Sequence, residues 1–420
     1  MDVLIERCAG IDIGKNEVVA CVRTPGPGGR GRHKQTRTFS SFTGALEEMA
    51  DWFGDEGVTD IAMEATGPYW KPVWYVLEER AFQLRLVNAH HVKILPGRKS
   101  DVLDAEWLAE LLEHGLLRAS FVPPPAIREL RDLTRYRKRL IQSHTAEQQR
   151  IQKTLEDAGI KLDSVASDVL GASGRAMLEA LIAGERDPVV LAELARGTLR
   201  RKIPALRQAL RGRFRDHHGL LIGLCLEHTD HLEAAIARLD ASIDALIAEH
   251  TSEAGIPFAR ARDRLTTITG VGKRAAECIL AEIGADMSRF PSAGHLASWA
   301  GMAPGINKTG GKPGSGKTTD GDKWLTDILT QCAWAAARTR DNYLAAQFWR
   351  LARRIGKKKA AVAVGHSILV ICWHLLTNDC DYDDLGGDYF TRRANPDRQR
   401  DRLITQLHAL GYRVTLDPVA

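Results

Sequence analysis

Cysteine is sparse in this chain: seven in 420 residues, widely scattered and with no Cys-x-x-Cys pair. That spacing supplies neither a disulfide framework nor a tetrahedral zinc site. Long apolar runs are missing as well. Hydrophobic residues make up 44% of the chain, yet no uninterrupted run approaches the roughly 20 residues that cross a bilayer, so no membrane partner is expected. The stretch from Met1 to Arg7 is too short and too acidic for a signal peptide, which points to a cytoplasmic protein. Aromatic residues are few, at 6%, and the net charge is only +5. By itself that charge says little about nucleic acid, but the cations are clustered. The length allows two or three domains, each with its own core.

What is present begins with Ile11-Asp12-Ile13-Gly14, a short apolar stretch carrying one acid. With Lys15-Asn16-Glu17 and then Val18 to Val22 it predicts a strand, a tight turn and an antiparallel second strand. Burying a lone charge there is expensive. Asp12 therefore either faces solvent beside the turn or sits at a sheet edge where a cation makes its ionised form useful. The run from His33 to Ser41 predicts a third strand, and Leu46, Met49, Ala50 and Phe53 the apolar face of a helix. Thr59 to Glu64 reads as a strand, Trp70 to Arg80 as a helix, Gln83 to Val87 as a strand and Ser100 to Gly115 as an amphipathic helix. The order βββαβαβα suits an α/β domain of RNase H-like type, with a mixed sheet covered by helices.

Four acids stand out in that frame. Asp12 lies on the first strand, Glu64 ends the fourth, and Asp101 and Asp104 open a helix three residues apart, on one face. Carboxylates brought together repel, by roughly 4 kcal/mol at about 4 Å in an effective dielectric near 20, unless divalent cations or protons intervene. Oxygen ligands alone favour Mg²⁺ or Mn²⁺. Each acid also has a plain structural role open to it, the helix pair as first-turn residues that complement the helix dipole.

Further along, residues 126 to 160 predict a long polar helix that opens with Arg128, Arg131, Arg135, Arg137, Lys138 and Arg139, by default a solvated face. A second basic run, Arg196, Arg200, Arg201, Lys202, Arg207, Arg211, Arg213 and Arg215, has the density to neutralise phosphates. Leu232, Ile236, Leu239, Ile243 and Leu246 step by four and three, the seam of a coiled coil or an antiparallel helical hairpin. Ile268-Thr269-Gly270-Val271-Gly272 between two helical segments reads either as a helix-hairpin-helix, in which glycines and Lys273 approach a phosphate, or as an ordinary glycine turn. Gly311 to Thr318 matches the P-loop pattern literally, but no core strand precedes it and the next apolar periodicity waits until Trp324. A flexible basic loop between helices 293–302 and 323–338 is the expectation, flanked by Trp299 and Trp324 as core residues.

Asp12, Met63-Glu64-Ala65-Thr66-Gly67, Lys99 to Ala105, the glycine hairpin and Leu296 to Gly305 occur in the order of a known family. With the basic Arg350 to Lys359 run, Val364 to Leu369 and Leu410 to Val414, the chain resembles the DEDD transposases of insertion sequences, recombinases guided by a bridge RNA. The resemblance implies a RuvC-like catalytic domain at 1–125, a helical or coiled-coil arm at 126–260, a transposase domain at 261–350 and a basic extension at 351–420. It implies Asp12, Glu64, Asp101 and Asp104 as metal ligands for Mg²⁺ or Mn²⁺. Its partners would be donor and target DNA, an element-encoded guide RNA and further copies of the chain, as a dimer or tetramer.

The family carries a serine nucleophile in the loop after the Ala-Gly-Leu/Met-x-Pro segment. Here Thr309 stands at that place, in Lys308-Thr309-Gly310-Gly311-Lys312, with Ser315 as the fallback. Nucleic-acid contacts are expected at Gly270, Gly272, Lys273, Lys312, Lys317, Arg350, Arg353, Arg354, Lys357, Lys358 and Lys359. Two rivals stay open: a hydrolytic metal-dependent nuclease that needs no Thr309, and a nucleic-acid-binding copy without catalysis.

Overall fold

The computed structural model describes residues 2–26, 31–65, 67–88, 101–303, 308–309, 312–313, 321–393 and 396–416, with backbone alone at 101–103, 308–309, 312–313, 396, 398–399 and 402. The chain forms two compact units, Met1–Pro123 and Pro124–Ala420.

The first unit is built on a five-stranded mixed sheet. Its strands are β1 (Cys8–Ile13), β2 (Glu17–Pro25), β3 (Arg32–Ser40), β4 (Asp60–Glu64) and β5 (Gln83–Val87) in the order β3-β2-β1-β4-β5. β1, β2 and β3 pair antiparallel, whereas β4 and β5 add in parallel. Among the described residues, helices α1 (Thr43–Asp55), α2 (Trp70–Glu78) and α3 (Asp101–Glu113) join it in the predicted order. β1 is covered on both faces, which is why it reads as a nearly unbroken apolar run. Ala9, Ile11 and Ile13 pack with Leu46, Met49 and Phe53 of α1 and with Val73 and Leu77 of α2. Cys8 and Ala62 take the other face with Leu112 of α3, while Val19 and Cys21 meet Ala105 and Ala109 there. Burial pushes the Cys8 thiol up to about 12, so it stays protonated and packs as a small apolar group. The outer strand β3 carries Arg32, Lys34 and Arg37, charges that keep an exposed edge from pairing further.

The second unit is helical. Helices α4 (Pro125–Asp157) and α8 (Asp216–Glu249) pack along one another, with α5 (Ala172–Ile182), α6 (Pro188–Glu193) and α7 (Ile203–Ala209) inserted between them in sequence. Leu232, Ile236, Ile243 and Leu246 of the predicted seam are buried. The inserted segment packs Leu162, Met177, Leu178, Leu191 and Leu206 against Ile151 and Leu155 of α4 and Ile222 and Leu226 of α8, in one shared core. After it come α9 (Phe258–Thr266), α10 (Lys273–Ile283), α11 (Ala293–Trp299), a hairpin of β6 (Lys308–Thr309) and β7 (Lys312–Pro313), then α12 (Lys323–Arg338), α13 (Tyr343–Ile355), α14 (Lys357–Asn378), α15 (Tyr389–Arg392) and α16 (Pro396–Ala409).

One expectation changes here. The cations that open α4 are not all a solvated face. Arg137 is 2% exposed and pairs with the buried Glu277 at 2.6 Å and with Asp240 at 2.8 Å, and Arg135 makes a two-pronged contact with the buried Glu282 at 2.8 Å. These arginines fasten α4 to α8 and α10, because a buried guanidinium must be met by carboxylates. Burial pushes the Asp240 carboxyl up, but hydrogen bonds from Arg137 and Arg274 outweigh it and hold it below the ordinary carboxylate range. The expectation of no membrane partner stands, although the 22 residues of α14 are long and apolar enough to span a bilayer. Ala360, Val364, Ile368, Leu369 and Cys372 are instead buried, and α14 packs against α12 and α13 as the central helix of this unit.

Candidate active site

Strand register settles how the first two acids meet. β1 and β4 run parallel with Cys8 beside Asp60, Gly10 beside Ala62 and Ile11 beside Met63. One step further along, Asp12 lies beside Glu64, on strands about 4.8 Å apart. Registered neighbours point to the same face, and alternation puts these two on the face of Cys8 and Ala62, against α3 rather than α1. Both acids are half-buried. Like charges side by side destabilise a sheet unless something neutralises them.

The packing of α3 then brings the other acids to the same end. Cys8 Sγ donates to Ala109 O at 3.4 Å, and Gly10 lies directly beneath Ala105 and Ala109. Moving forward along β1 therefore moves backward along α3. Two residues beyond Gly10 is Asp12, and one turn before Ala105 is Asp101, with Asp104 in the same turn. Continuing the β1–β4 register by one step puts Asp12 next to Glu64, and the packing of Gly10 under Ala105 and Ala109 puts the first turn of α3, with residues 101 and 104, toward the Asp12 end of β1. The Asp101 side chain lies outside the described residues; that of Asp104 is half-buried.

This convergence depends on residues that the sequence reading passed over. A Cβ added to Gly10 would sit 2.3 Å from Ala105 O and 2.4 Å from Ala109 N, so glycine is what lets α3 lie flat on β1. The far end of α3 is fastened by ion pairs. Glu113, buried, pairs with Arg23 and with Arg32 at 2.7 Å, and Glu106 with Lys34 at 2.7 Å. Acids at 106 and 113 recur two turns apart on one face, aimed at β2 and β3. The signal in the sequence was that periodicity, paired with cations on the second and third strands.

The donor set at 12, 64, 101 and 104 is all oxygen, which fits a hard divalent cation and excludes a soft one. Asp157, His217 and His218 also offer ligand atoms within 4.8 Å of one another. That grouping has a different use. His218 Nδ1 accepts from the Arg215 backbone N–H at 3.0 Å, and Nε2 lies 2.9 Å from Asp157 Oδ2. Both ring nitrogens are committed, which fixes the Nε2–H tautomer and ties the start of α8 to the end of α4.

In the second unit Thr309 lies on a two-stranded ladder, its backbone registered with Lys312 and Lys308 with Pro313. Residues 310–311 lie outside the described residues, and this short ladder belongs to what is described of the expected loop. Gly301 and Gly321 hold its ends together: a Cβ on Gly321 would meet Gly301 N at 2.3 Å. Ser315 and Lys317 lie outside the described residues, as do the side chains of Thr309 and Lys312. Trp299 packs on Phe290. Trp324 is not the core residue that was expected: it is half-buried, with Arg135, Lys138 and Arg139 at 5.4, 5.1 and 5.8 Å from its ring.

The expected nucleic-acid contacts divide. A Cβ on Gly270 would meet Cys332 O at 2.6 Å and Ala336 N at 2.7 Å, so this glycine is required by the packing of α12. Gly272 precedes α10 with open space around it. Lys273 is exposed and pairs with Asp244 at 2.7 Å. Arg350, Arg353, Arg354, Lys357, Lys358 and Lys359 are all exposed at the junction of α13 and α14, and Arg350 lies 4.1 Å from the ring centre of Phe390. The first turn of α14 holds three lysines and no acid, which the helix dipole disfavours; a phosphate partner would relieve it.

Two family models match the chain. A transposase family, the DEDD transposases of IS110 type, matches residues 9–160, and the transposase family IS116/IS110/IS902 matches residues 262–350. Together they account for more than half of the residues and include the positions of Asp12, Glu64, Asp101, Asp104 and Thr309. No curated protein matches.

Proposed function

Because the chain belongs to the IS110-type DEDD transposases of insertion sequences, we propose that it is a DNA recombinase that cuts and rejoins strands at an RNase H-like acidic site, using a hydroxyl nucleophile from its second unit. The observation that carries this reading is the register of Asp12 beside Glu64 under the first turn of α3. Asp12, Glu64, Asp101 and Asp104 would hold Mg²⁺ or Mn²⁺, which when bound neutralises the phosphate charge and lowers the pKa of a coordinated hydroxyl.

The rest belongs to the chain. The Thr309 hydroxyl gives its proton to solvent as its oxygen attacks the scissile phosphorus, a P–O bond to threonine forms, and the bond to the leaving sugar oxygen breaks as that oxygen takes a proton from solvent. Reversal by an incoming sugar hydroxyl rejoins DNA with no external energy, which is the reason to use a covalent step. Lys312, registered with Thr309, supplies positive charge in the same hairpin. The exposed cations at 350–359 grip the DNA backbone. Guidance by an element-encoded RNA and assembly as a dimer or tetramer follow from the same family reading. Mg²⁺ is the cation we assign, Mn²⁺ its substitute.

Threonine at the nucleophile position favours one second reading. Its branched Cβ crowds an in-line attack, so a metal-dependent nuclease that activates water would tolerate Thr309 more readily than a recombinase. The test is a covalent-adduct assay: purified protein, flanking element RNA, labelled donor and target DNA and Mg²⁺, resolved on a denaturing gel. The recombinase reading expects an adduct in the wild type that disappears in Thr309→Ala and Asp12→Asn and persists in Ser315→Ala. Metal-dependent nicking without an adduct in any lane contradicts it and selects the hydrolytic nuclease. An adduct only in Thr309→Ser identifies a copy disabled at its nucleophile.

A further inference from the structure

The segment between α4 and α8 carries charge that the fold does not answer. Residues 194–215 hold eight arginines and lysines and no aspartate or glutamate, against a net charge of +5 for the whole chain. All eight side chains are exposed. The contrast with the start of α4 is instructive: there Arg131, Arg135 and Arg137 are drawn into Glu282, Glu277 and Asp240. Here Glu193, just outside the run, meets Arg200 at 3.7 Å and Arg207 at 3.1 Å. The lobe at 158–215 as a whole holds eleven arginines and lysines against six aspartates and glutamates, and the excess gathered at 194–215 is what a phosphate partner relieves.

The same lobe has a cavity of about 430 Å³ between the 165–173 loop and the turn at 196–202, within the roughly 300–1,000 Å³ range of ligand sites. Ser167, Ser173 and Thr198 bring hydroxyls to it, and Arg196 and Lys202 bring charge. Ser173 Oγ accepts from the Arg196 backbone N–H at 2.9 Å, which leaves its O–H to donate. Lys202 Nζ donates to Val165 O at 2.9 Å, which holds the ammonium at the wall. Asp168 is the one acid in the lining; its Oδ1 accepts from Leu170 N–H at 3.0 Å.

We propose that the lobe at 158–215 is a nucleic-acid-binding module that grips the phosphodiester backbone, seating one phosphate in this cavity and tracking its neighbours along Arg200 to Arg213. The lobe's apolar core is shared with Ile151 and Leu155 of α4 and with Ile222 and Leu226 of α8, so it presents the charges on a frame fixed to both helices. Asp168 weakens an anion in this seat rather than helping it, which gives the proposal a distinctive signature. The inference rests on charge and cavity alone and stands whether the acidic site recombines or hydrolyses DNA.

The test uses full-length protein and fluorescence anisotropy with a labelled RNA hairpin and a DNA duplex of matching length, across a series of KCl concentrations. Arg196→Gln/Lys202→Gln and Arg211→Gln/Arg213→Gln should each weaken binding several-fold and reduce the slope of log K against log salt by about 1.4–1.8, two contacts' worth. Asp168→Asn should tighten binding, by about three-fold. Arg175→Gln is the control, since Arg175 is already engaged by Asp230, and should leave the slope unchanged. Losses confined to RNA assign the lobe to RNA, losses confined to DNA assign it to DNA, and losses in both make it a general backbone grip. Wild-type slopes in both double variants, with circular dichroism showing them folded, would overturn the proposal; an Asp168→Asn affinity equal to wild type would remove the cavity as the seat.

Discussion

Gly10 sets the distance between α3 and β1, and so how closely the first turn of α3 approaches the Asp12 end of the strand. Gly10→Ala places a Cβ against backbone atoms of Ala105 and Ala109, and backbone cannot rotate away as a side chain could. We expect a loss of about 1–3 kcal/mol from overpacking, read as a lower melting temperature. Gly54→Ala in α1, where nothing lies within 4 Å, should instead raise stability by up to about 1 kcal/mol. Equal melting temperatures for the two variants would contradict the packing account. Asp12 and Glu64 were legible in the sequence because a lone acid in an apolar strand is costly and therefore conspicuous. Gly10 was not, because one more small residue in Cys8-Ala9-Gly10 leaves no trace in a hydrophobic pattern. Its need appears only once a helix from residues 101–113 lies on top of it.

At the scale of elements, the order of strands and helices in the first unit followed from alternation and turn chemistry, α3 and the Leu232–Leu246 seam of α8 from apolar spacing and α4 from its polar run, while α5, α6 and α7 left no such signal. The use of charge did not follow either. Arg137 sits in a polar helix beside five other cations, and local sequence makes it one more solvated residue; it is in fact 2% exposed and bound to Glu277, itself 1% exposed. Its carboxylates lie more than a hundred residues away, so no window along the chain contains the pair. Arg137→Met should cost about 3–5 kcal/mol, since it strands a buried glutamate. Arg137→Met with Glu277→Leu should recover most of that loss, because replacing both charges by apolar groups removes the stranded one. Chemical denaturation of the two variants checks this, and a double variant no more stable than the single would show that the pair is not the source.

Across the whole molecule, the proposed metal acids Asp12, Glu64, Asp101 and Asp104 belong to the unit at 1–123 and the proposed nucleophile Thr309 to the unit at 124–420. The chemistry attributed to Thr309 depends on the carboxylates forming a cation site at all. The most direct measurement is Mn²⁺ binding followed by electron paramagnetic resonance, in wild type and in Asp12→Asn/Glu64→Gln. Neutralising both acids keeps side-chain size and removes two of four charges, so the variant should stay folded and lose the carboxylate-bound Mn²⁺ signal. A binding curve identical to wild type in a folded Asp12→Asn/Glu64→Gln protein would contradict the convergence of these acids into one metal site.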